Sequence, residues 1–478
     1  KPLTINGLSN KFFQEGNSMS NTATALDKKA IRKEILVLII PIILEGIFGY
    51  LAGIVSSALV GRLSPLAVSS QGVVFRITDL LAVFWGSIRI GAMVYFVKLY
   101  GEGKYREIIQ AFKNICTVTL GIGFLCMAVL VFFPMPILSF FTTDAEILAS
   151  ARTYMNIVMV GLPFFIMMKM NASLFYSVGD TKTPMYIQIA VNVVNIVLGY
   201  LFIFVLNWDL VGAGWATVIS QIVGGVSGLY MLSRKPVFKK VGITSWKIQD
   251  KEPIKVTFKK AIPIALESGF WQMSAIVMTK VILVFGTDAY AGYSLASSAE
   301  TLTELPVIGF TVAATTLAGK ALGEKNGPLF REYYRQQMWM NSIISAVGSA
   351  IMILLPGVFM SIVTDNPALK EIGTVYLMIM GLILIPQNVQ RTQKGMLYGL
   401  GNTKIPMYIS GFGIWVIRVP LAALAAWVFH WPLVSIWIII AADQIIRYFL
   451  MHFYIKHIKA LYCVEEQEKK ELEASKAN

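Results

Sequence analysis

Charge is scarce in this chain. Only 14% of its 478 residues are Asp, Glu, Lys or Arg, and 56% are hydrophobic. A soluble domain carries about a quarter charged residues, so the balance points to a polytopic, all-α membrane protein. Cysteine is nearly lacking. Cys116, Cys126 and Cys463 make neither a disulfide framework nor a metal-ligand spacing. Histidine is equally sparse, and His430, His452 and His457 all lie near the C-terminal end, which excludes a catalytic or zinc constellation. No Ser-His-Asp set, paired-His motif or phosphate loop supports an enzyme, so no catalytic residue and no cofactor are expected. A cleavable signal is also missing, because the polar N-terminal stretch has no short apolar core before a small-residue cleavage site. Met19 reads as a native start, with residues 1–18 upstream of it.

What is present is long apolar runs. A spanning helix needs about 20 mostly apolar residues. Twelve segments qualify, at 35–60, 69–98, 113–138, 150–178, 184–206, 211–232, 258–285, 289–319, 336–360, 369–394, 405–428 and 432–456. The net charge of +14 is spread over alternate connections. Lys98, Lys104, Arg106 and Lys113, then Lys182, then Lys320, Lys325, Arg331 and Arg335, then Lys394 and Lys404 mark one side. Asp144, Glu146, Asp209, Asp288 and Asp365 mark the other. This positive-inside pattern places both termini in the cytoplasm of a cell membrane, most simply a bacterial inner membrane. It also argues against nucleic acid as a partner, since no aromatic-rich basic domain gathers the charge. The expected organisation is a tail at 1–34, an N-terminal lobe of six spans at 35–232, a basic linker at 233–257, a C-terminal lobe at 258–456 and a tail at 457–478. A monomer is expected.

Two stretches repeat. Residues 176–187 read YSVGDTKTPMYI and residues 398–409 read YGLGNTKIPMYI. Tyr398 follows Tyr176 by 222 residues (398 − 176). The same offset carries PIILE, ending at Glu45, onto PIALE, ending at Glu267. It also carries Gly101-Glu102 onto Gly323-Glu324, Pro134, Ser139 and Thr142 onto Pro356, Ser361 and Thr364, and Tyr154 onto Tyr376. A unit of six spans enters the membrane twice from the same side. The lobes are then related by a pseudo-two-fold axis along the membrane normal, a parallel repeat of the kind transporters use. The repeated turn itself reads as punctuation. Gly179 and Gly401 stop a helix, Asp180 and Asn402 cap the next, and Pro184 and Pro406 sit near its start.

The motif GDTKTPM after LPFFIMMKMNASLFYSV resembles the multidrug and toxic compound extrusion (MATE) exporters, as do residues 258–275 and 290–324. The resemblance runs from about residue 32 to about residue 458. It implies a twelve-helix, two-lobed fold around a central cavity. It further implies export of organic, often cationic or amphipathic, small molecules against sodium or protons, by alternating access. It places Glu267 where many members carry a cation-binding glutamate, and Glu300 on another common glutamate. Many members also carry an aspartate in helix one, where this chain has Ser56 and Ser57. Gln387, Asn388 and Gln390 stand where some relatives have an aspartate in helix ten.

Ionisable groups at membrane depth are costly and usually functional. Glu267, Glu300, Glu304 and Glu45 are the candidate cation-coupling residues, with Glu267 leading and the sodium ligand if sodium couples. Lys280 or Arg418 is the competing structural partner for Glu267. Glu300 and Glu304 share a helix face and would rarely both stay charged without a cation between them. Asp79, Arg76, Arg89, Phe270, Trp271, Tyr293, Gln387 and Asn388 are candidates for the substrate cavity. Arg76 with Asp79, and Asp443 with Arg447, are equally well read as intrahelical ion pairs. A flippase for a lipid-linked precursor is the alternative, and it requires a strongly cationic cavity. Arg76, Arg89, Lys169, Lys280, Arg391 and Arg418 are the residues that would supply it.

Overall fold

Proline, glycine and small capping side chains set where each helix begins and ends. The computed structural model describes residues 27–235 and 250–457. The tail before Asp27, most of the linker and the tail after His457 lie outside them. Among the described residues eleven single helices are long and apolar enough to span a membrane, and a twelfth is made of two pieces. They are α1 (Lys28–Gly61), α2 (Pro65–Gly101), α3 (Tyr105–Phe132), α4 (Ala145–Val160 with Leu162–Ser177), α5 (Lys182–Val205) and α6 (Asp209–Arg234). The second six are α7 (Glu252–Leu283), α8 (Thr287–Gly323), α9 (Gly327–Leu354), α10 (Pro367–Gly399), α11 (Lys404–Val428) and α12 (Leu433–His457).

Starts are capped as the chemistry asks. Ser64 Oγ accepts from Ala67 N at 3.1 Å ahead of Pro65, and Asn326 Oδ1 accepts from Leu329 N at 3.0 Å. Several helices run past their apolar core, as with α1, which begins at Lys28. Two expected spans are interrupted. The run 113–138 breaks at Phe133, and Pro134 opens a short helix, Pro134–Leu138. The run 336–360 breaks at Leu355, and Pro356 opens Pro356–Val363. Proline suits the first turn of a new helix, but inside one it removes a hydrogen bond and clashes with the preceding turn. The duplicated proline therefore marks a duplicated break. α4 bends by 44° between its pieces, where Gly161 is followed by Pro163. Most of the bases expected in loops belong to helices instead: Lys98 lies in α2, Arg106 and Lys113 in α3, Lys182 in α5, Lys320 in α8, Arg331 and Arg335 in α9, Lys394 in α10 and Lys404 in α11.

The two halves meet mainly along α2, which packs on α7 and α8, and along α1, which packs on α8. The backbones come close where α2 and α8 end. A Cβ added at Gly101 would lie 2.8 Å from the Cα of Gly323, and one added at Gly323 would lie 2.6 Å from the Cα of Gly101. These are the two copies of one repeat position, so the pseudo-two-fold axis passes between them. The backbones touch because neither residue has a side chain. Nearby, Val94 of α2 packs with Ile264 and Tyr398, while Met93 and Val97 pack with Ile42 and Tyr176. At the same end, Glu34 of α1 accepts from Lys320 Nζ at 2.8 Å and from Tyr333 OH at 2.7 Å.

The repeated turns follow α4 and α10. Gly179 and Gly401 have φ of 77° and 74°, a left-handed conformation open to glycine at little cost. Asp180 Oδ1 accepts from Thr183 N at 3.1 Å, and Asn402 Oδ1 accepts from Ile405 N at 3.4 Å. Each turn is also docked on the first helix of its own half. Thr181 donates to the carbonyl of Val37 in α1, and Lys260 of α7 donates to the carbonyl of Gly401.

Candidate functional site

A carboxylate inside a membrane bundle must find donors, and here each half supplies a tyrosine. Glu45 Oε2 accepts from Tyr176 OH at 2.7 Å, and Glu267 Oε2 accepts from Tyr398 OH at 2.6 Å. Both members of each pair obey the repeat. The tyrosine that opens the duplicated turn motif is thus the partner of the glutamate that closes PIxLE.

The surroundings differ. Glu267 is 6% exposed. Its Oε1 accepts from Lys394 Nζ at 3.1 Å and from Ser410 Oγ at 2.9 Å. Its basic partner is Lys394, neither Lys280, which is exposed, nor Arg418, which is paired elsewhere. Positions 172 and 188, which answer Lys394 and Ser410 in the first half, hold Ala172 and Gln188. There Glu45 lines a water-sized cavity of about 20 Å³ with Lys169, Asn171 and Gln188. Among the described contacts Glu45 has no ion pair with Lys169, whose Nζ lies 5.1 Å from the centroid of the Phe165 ring. Arg89 stacks over Tyr176, with Cζ 5.8 Å from the ring centroid.

A second cluster joins α8 to α10. Glu300 and Glu304 are one turn apart on α8, and Gln387 and Arg391 are one turn apart on α10. The two i, i+4 faces meet as a ladder. Glu300 Oε2 accepts from Tyr376 OH at 2.7 Å, and Gln387 Nε2 donates to Glu300 at 3.5 Å and to Glu304 at 2.8 Å. Arg391 Nη2 donates to Glu304 at 2.6 Å. Glu304 is therefore neutralised by a guanidinium, whereas the donors on Glu300 are both uncharged. The carbonyl oxygen of Gln387 is buried without a hydrogen-bond partner among the described residues.

These residues line a cavity of about 260 Å³ in the second half, together with Trp271, Tyr293, Arg418 and Gln444. Tyr293 stacks on Trp437 at 5.2 Å between centroids and meets Tyr376 edge-on at 5.3 Å. Arg418 stands at the end of a π-helical segment, Gly413–Arg418, within α11. Its Nε donates to Asp443 Oδ2 at 2.9 Å, and Arg447 Nε donates to Asp443 Oδ1 at 3.0 Å.

Of the residues singled out in the sequence, Glu300, Glu304, Trp271, Tyr293 and Gln387 come together at this cavity. Phe270 does not line it, because its ring packs against Gly411 of α11. Asn388 turns to α9 instead, donating to Ser345 Oγ at 3.0 Å. Arg76 and Asp79 are exposed on α2 and not joined by an ion pair among the described contacts, while Arg89 belongs to the Glu45 cluster. Sequence reasoning missed the pairing of Tyr176, Tyr376 and Tyr398 with Glu45, Glu300 and Glu267. The offset of 222 already linked each of them to a copy, and the turn motif began with one.

The sequence profile of the MatE family matches residues 41–201 and again residues 263–424. The two matches begin 222 residues apart (263 − 41). The chain is 28% identical over 424 residues to the probable multidrug resistance protein NorM of Thermotoga maritima, covering 87% of this chain and 90% of that one. It is 21% identical to the probable multidrug resistance protein YoeA of Bacillus subtilis, covering 90% and 95%. Among solved structures it resembles the Vibrio cholerae MATE transporter VcmN in its bent form, with a TM-score of 0.84, 19% identity and coverage of 91% and 98%. It also resembles a MOP superfamily transporter from Pyrococcus furiosus, with a TM-score of 0.81, 17% identity and coverage of 93% and 100%.

Proposed function

This chain belongs to the MatE family, and on that premise we propose that it is a secondary active exporter of organic small molecules. Sodium or protons move inward as an amphipathic or cationic substrate leaves, and the two halves rock against each other. The observation that carries the reading is Glu300. It is a carboxylate 7% exposed, whose donors among the described contacts are the uncharged Tyr376 and Gln387, on the wall of a cavity lined with aromatic rings. A proton or a sodium ion arriving there meets oxygen atoms from Glu300, Glu304, Tyr376 and Gln387, the ligand type hard cations take. Glu267 suits a free cation less well, because the Lys394 ammonium already sits 3.1 Å from its Oε1. On this reading Glu300, rather than Glu267, is the coupling group.

The flippase alternative gains no support from this cavity. The two guanidiniums that line it, Arg391 and Arg418, are ion-paired at 2.6 Å and 2.7 Å. Reconstitution into proteoliposomes with sodium and pH gradients imposed separately is the direct experiment. One gradient drives efflux in the parent, and Glu300→Gln abolishes the drive while the protein stays folded. Gradient-driven efflux by Glu300→Gln at the parent rate would refute coupling through this carboxylate.

A further inference from the structure

A base at the end of a spanning helix ordinarily extends into the membrane surface. Arg32 of α1 instead reaches sideways to α9. Its Nε donates to Gln336 Oε1 at 2.7 Å, and its Cζ stands 4.4 Å from the centroid of the Trp339 ring. The side chain thus crosses from one half of the molecule to the other, at the end where Glu34 meets Lys320 and Tyr333. Both partners of Arg32 are uncharged, and its two Nη groups have no partner among the described contacts. Lys28, Lys29 and Arg335 lie exposed at the same end, with no ion pair among the described contacts. The acids beside these four bases are Asp27 and Glu332, so positive charge is left over.

Further in, the same two surfaces turn apolar. Lys28, Arg32, Leu36, Ile40 and Leu44 recur at every fourth residue of α1, and all are exposed. Arg335, Trp339, Ile343 and Val347 do the same on α9. On their buried sides the helices share one cluster, with Ile31 and Ile35 from α1 and Tyr333 and Met340 from α9. The row from Arg335 to Val347 runs roughly 18 Å, about the hydrocarbon depth of one leaflet. We propose that this face holds an anionic phospholipid. Its phosphate lies on the Nη groups of Arg32 and on Arg335, and its chains follow the two apolar rows. The inference stands apart from the exporter reading. A guanidinium fork suits a pair of phosphate oxygens, an indole favours the headgroup level, and a basic recess between spanning helices suits an anionic headgroup. Arg32 belongs to the first half and Arg335 to the second, so one lipid held by both bridges the halves.

The repeat supplies an independent argument. Adding 222 to Arg32 gives Ile254, and subtracting 222 from Trp339 gives Thr117. The equivalent seam, between α3 and α7, therefore has neither the guanidinium nor the indole. There Ile254 packs against an apolar cluster that contains Phe112. Asn114, the counterpart of Gln336, donates to the backbone carbonyl of Asp250 at 2.8 Å. The basic crossing is particular to one seam rather than a general feature of the six-helix unit.

The test uses the full chain, stripped of lipid in detergent, and three probes: phosphatidylglycerol, phosphatidylcholine with the same chains, and glycerol phosphate. Native mass spectrometry reads the bound lipid, and thermal unfolding reads the fold. Phosphatidylglycerol is expected to bind roughly tenfold more tightly than phosphatidylcholine, the scale of one or two basic contacts. Glycerol phosphate, which lacks chains, is expected not to displace it. Arg335 makes no hydrogen bond or ion pair among the described contacts, so Arg335→Gln leaves the lipid-free unfolding temperature unchanged. It is expected to weaken phosphatidylglycerol about fivefold and to leave phosphatidylcholine unchanged, and Arg32→Gln is expected to do the same. Lys404→Gln removes an exposed base at the start of α11 and is expected to alter neither lipid. Equal binding of the two lipids overturns the inference. So does an equal loss with Lys404→Gln, which would show diffuse surface charge instead of a site. Displacement by glycerol phosphate at matching concentration would assign the bases to a free phosphate, and a protein dimer abolished by Arg335→Gln would assign the face to a second copy. Either result overturns the lipid.

Discussion

Lys394 stands to Glu267 as a cation tethered to the protein. Glu267 is buried, and its ammonium partner is about one-quarter exposed. Removing one member of such a pair leaves a buried charge uncompensated. Lys394→Met should therefore destabilise the protein by about 3 kcal/mol, the low end of that effect. Adding Glu267→Gln should recover most of the loss. Thermal unfolding of the single and double variants in detergent checks this, and a double variant no more stable than Lys394→Met would contradict it. Tyr398→Phe removes one donor from the same carboxylate and should cost about 1.5–3 kcal/mol by the same assay. In the sequence, Lys394 reads as a loop base because it closes an apolar run and precedes a turn motif. Nothing local distinguishes a lysine that anchors a loop from one whose long stem returns its charge to a neighbouring helix. Glu267 was legible for the opposite reason, since it recurs within a motif that recurs as a whole.

The order of helices is legible because each needs its own apolar run. Their breaks are less so. Pro134 and Pro356 lie inside runs apolar enough to read as one span, yet each begins a separate short helix. Hydropathy records transfer from water, whereas the break is set by a missing N–H and a clash with the preceding turn. Contacts between helices are still less legible. α2 and α8 approach at Gly101 and Gly323 closely enough that an added Cβ lies within 2.8 Å of backbone. Gly101→Ala or Gly323→Ala should wedge the two halves apart at that end. Each variant should lower transport and raise the reactivity of a cysteine placed at Val94 towards an impermeant thiol reagent from the same side. Unchanged labelling with full transport would show that the contact has no part in closure.

At the scale of the whole molecule the spacing of 222 did most of the reading. It fixed the number of spans per unit, their shared direction and the correspondence of Glu45 with Glu267. It did not show which charges meet, because the ladder of α8 with α10 and the reach of Arg418 to Asp443 depend on contacts between distant segments. A parallel repeat puts both turns, at Asp180 and at Asn402, on one face of the membrane, with the ends of α2 and α8. Single cysteines at positions 180, 402, 103 and 325 should all label from the cytoplasmic side, and cysteines at 144 and 366 from the other. Labelling of 180 and 402 from opposite sides would exclude a parallel arrangement.

The glycine pair on the axis has one more consequence, and it is genetic. Two copies of an ancestral position press against each other rather than against independent neighbours. Once the gene had doubled, neither copy was free to drift alone, because an enlargement at one meets the backbone of the other and shrinking the partner below glycine is impossible. A change at either position has no second-site remedy at its twin, so suppressors of such variants should map to other residues along α2 and α8.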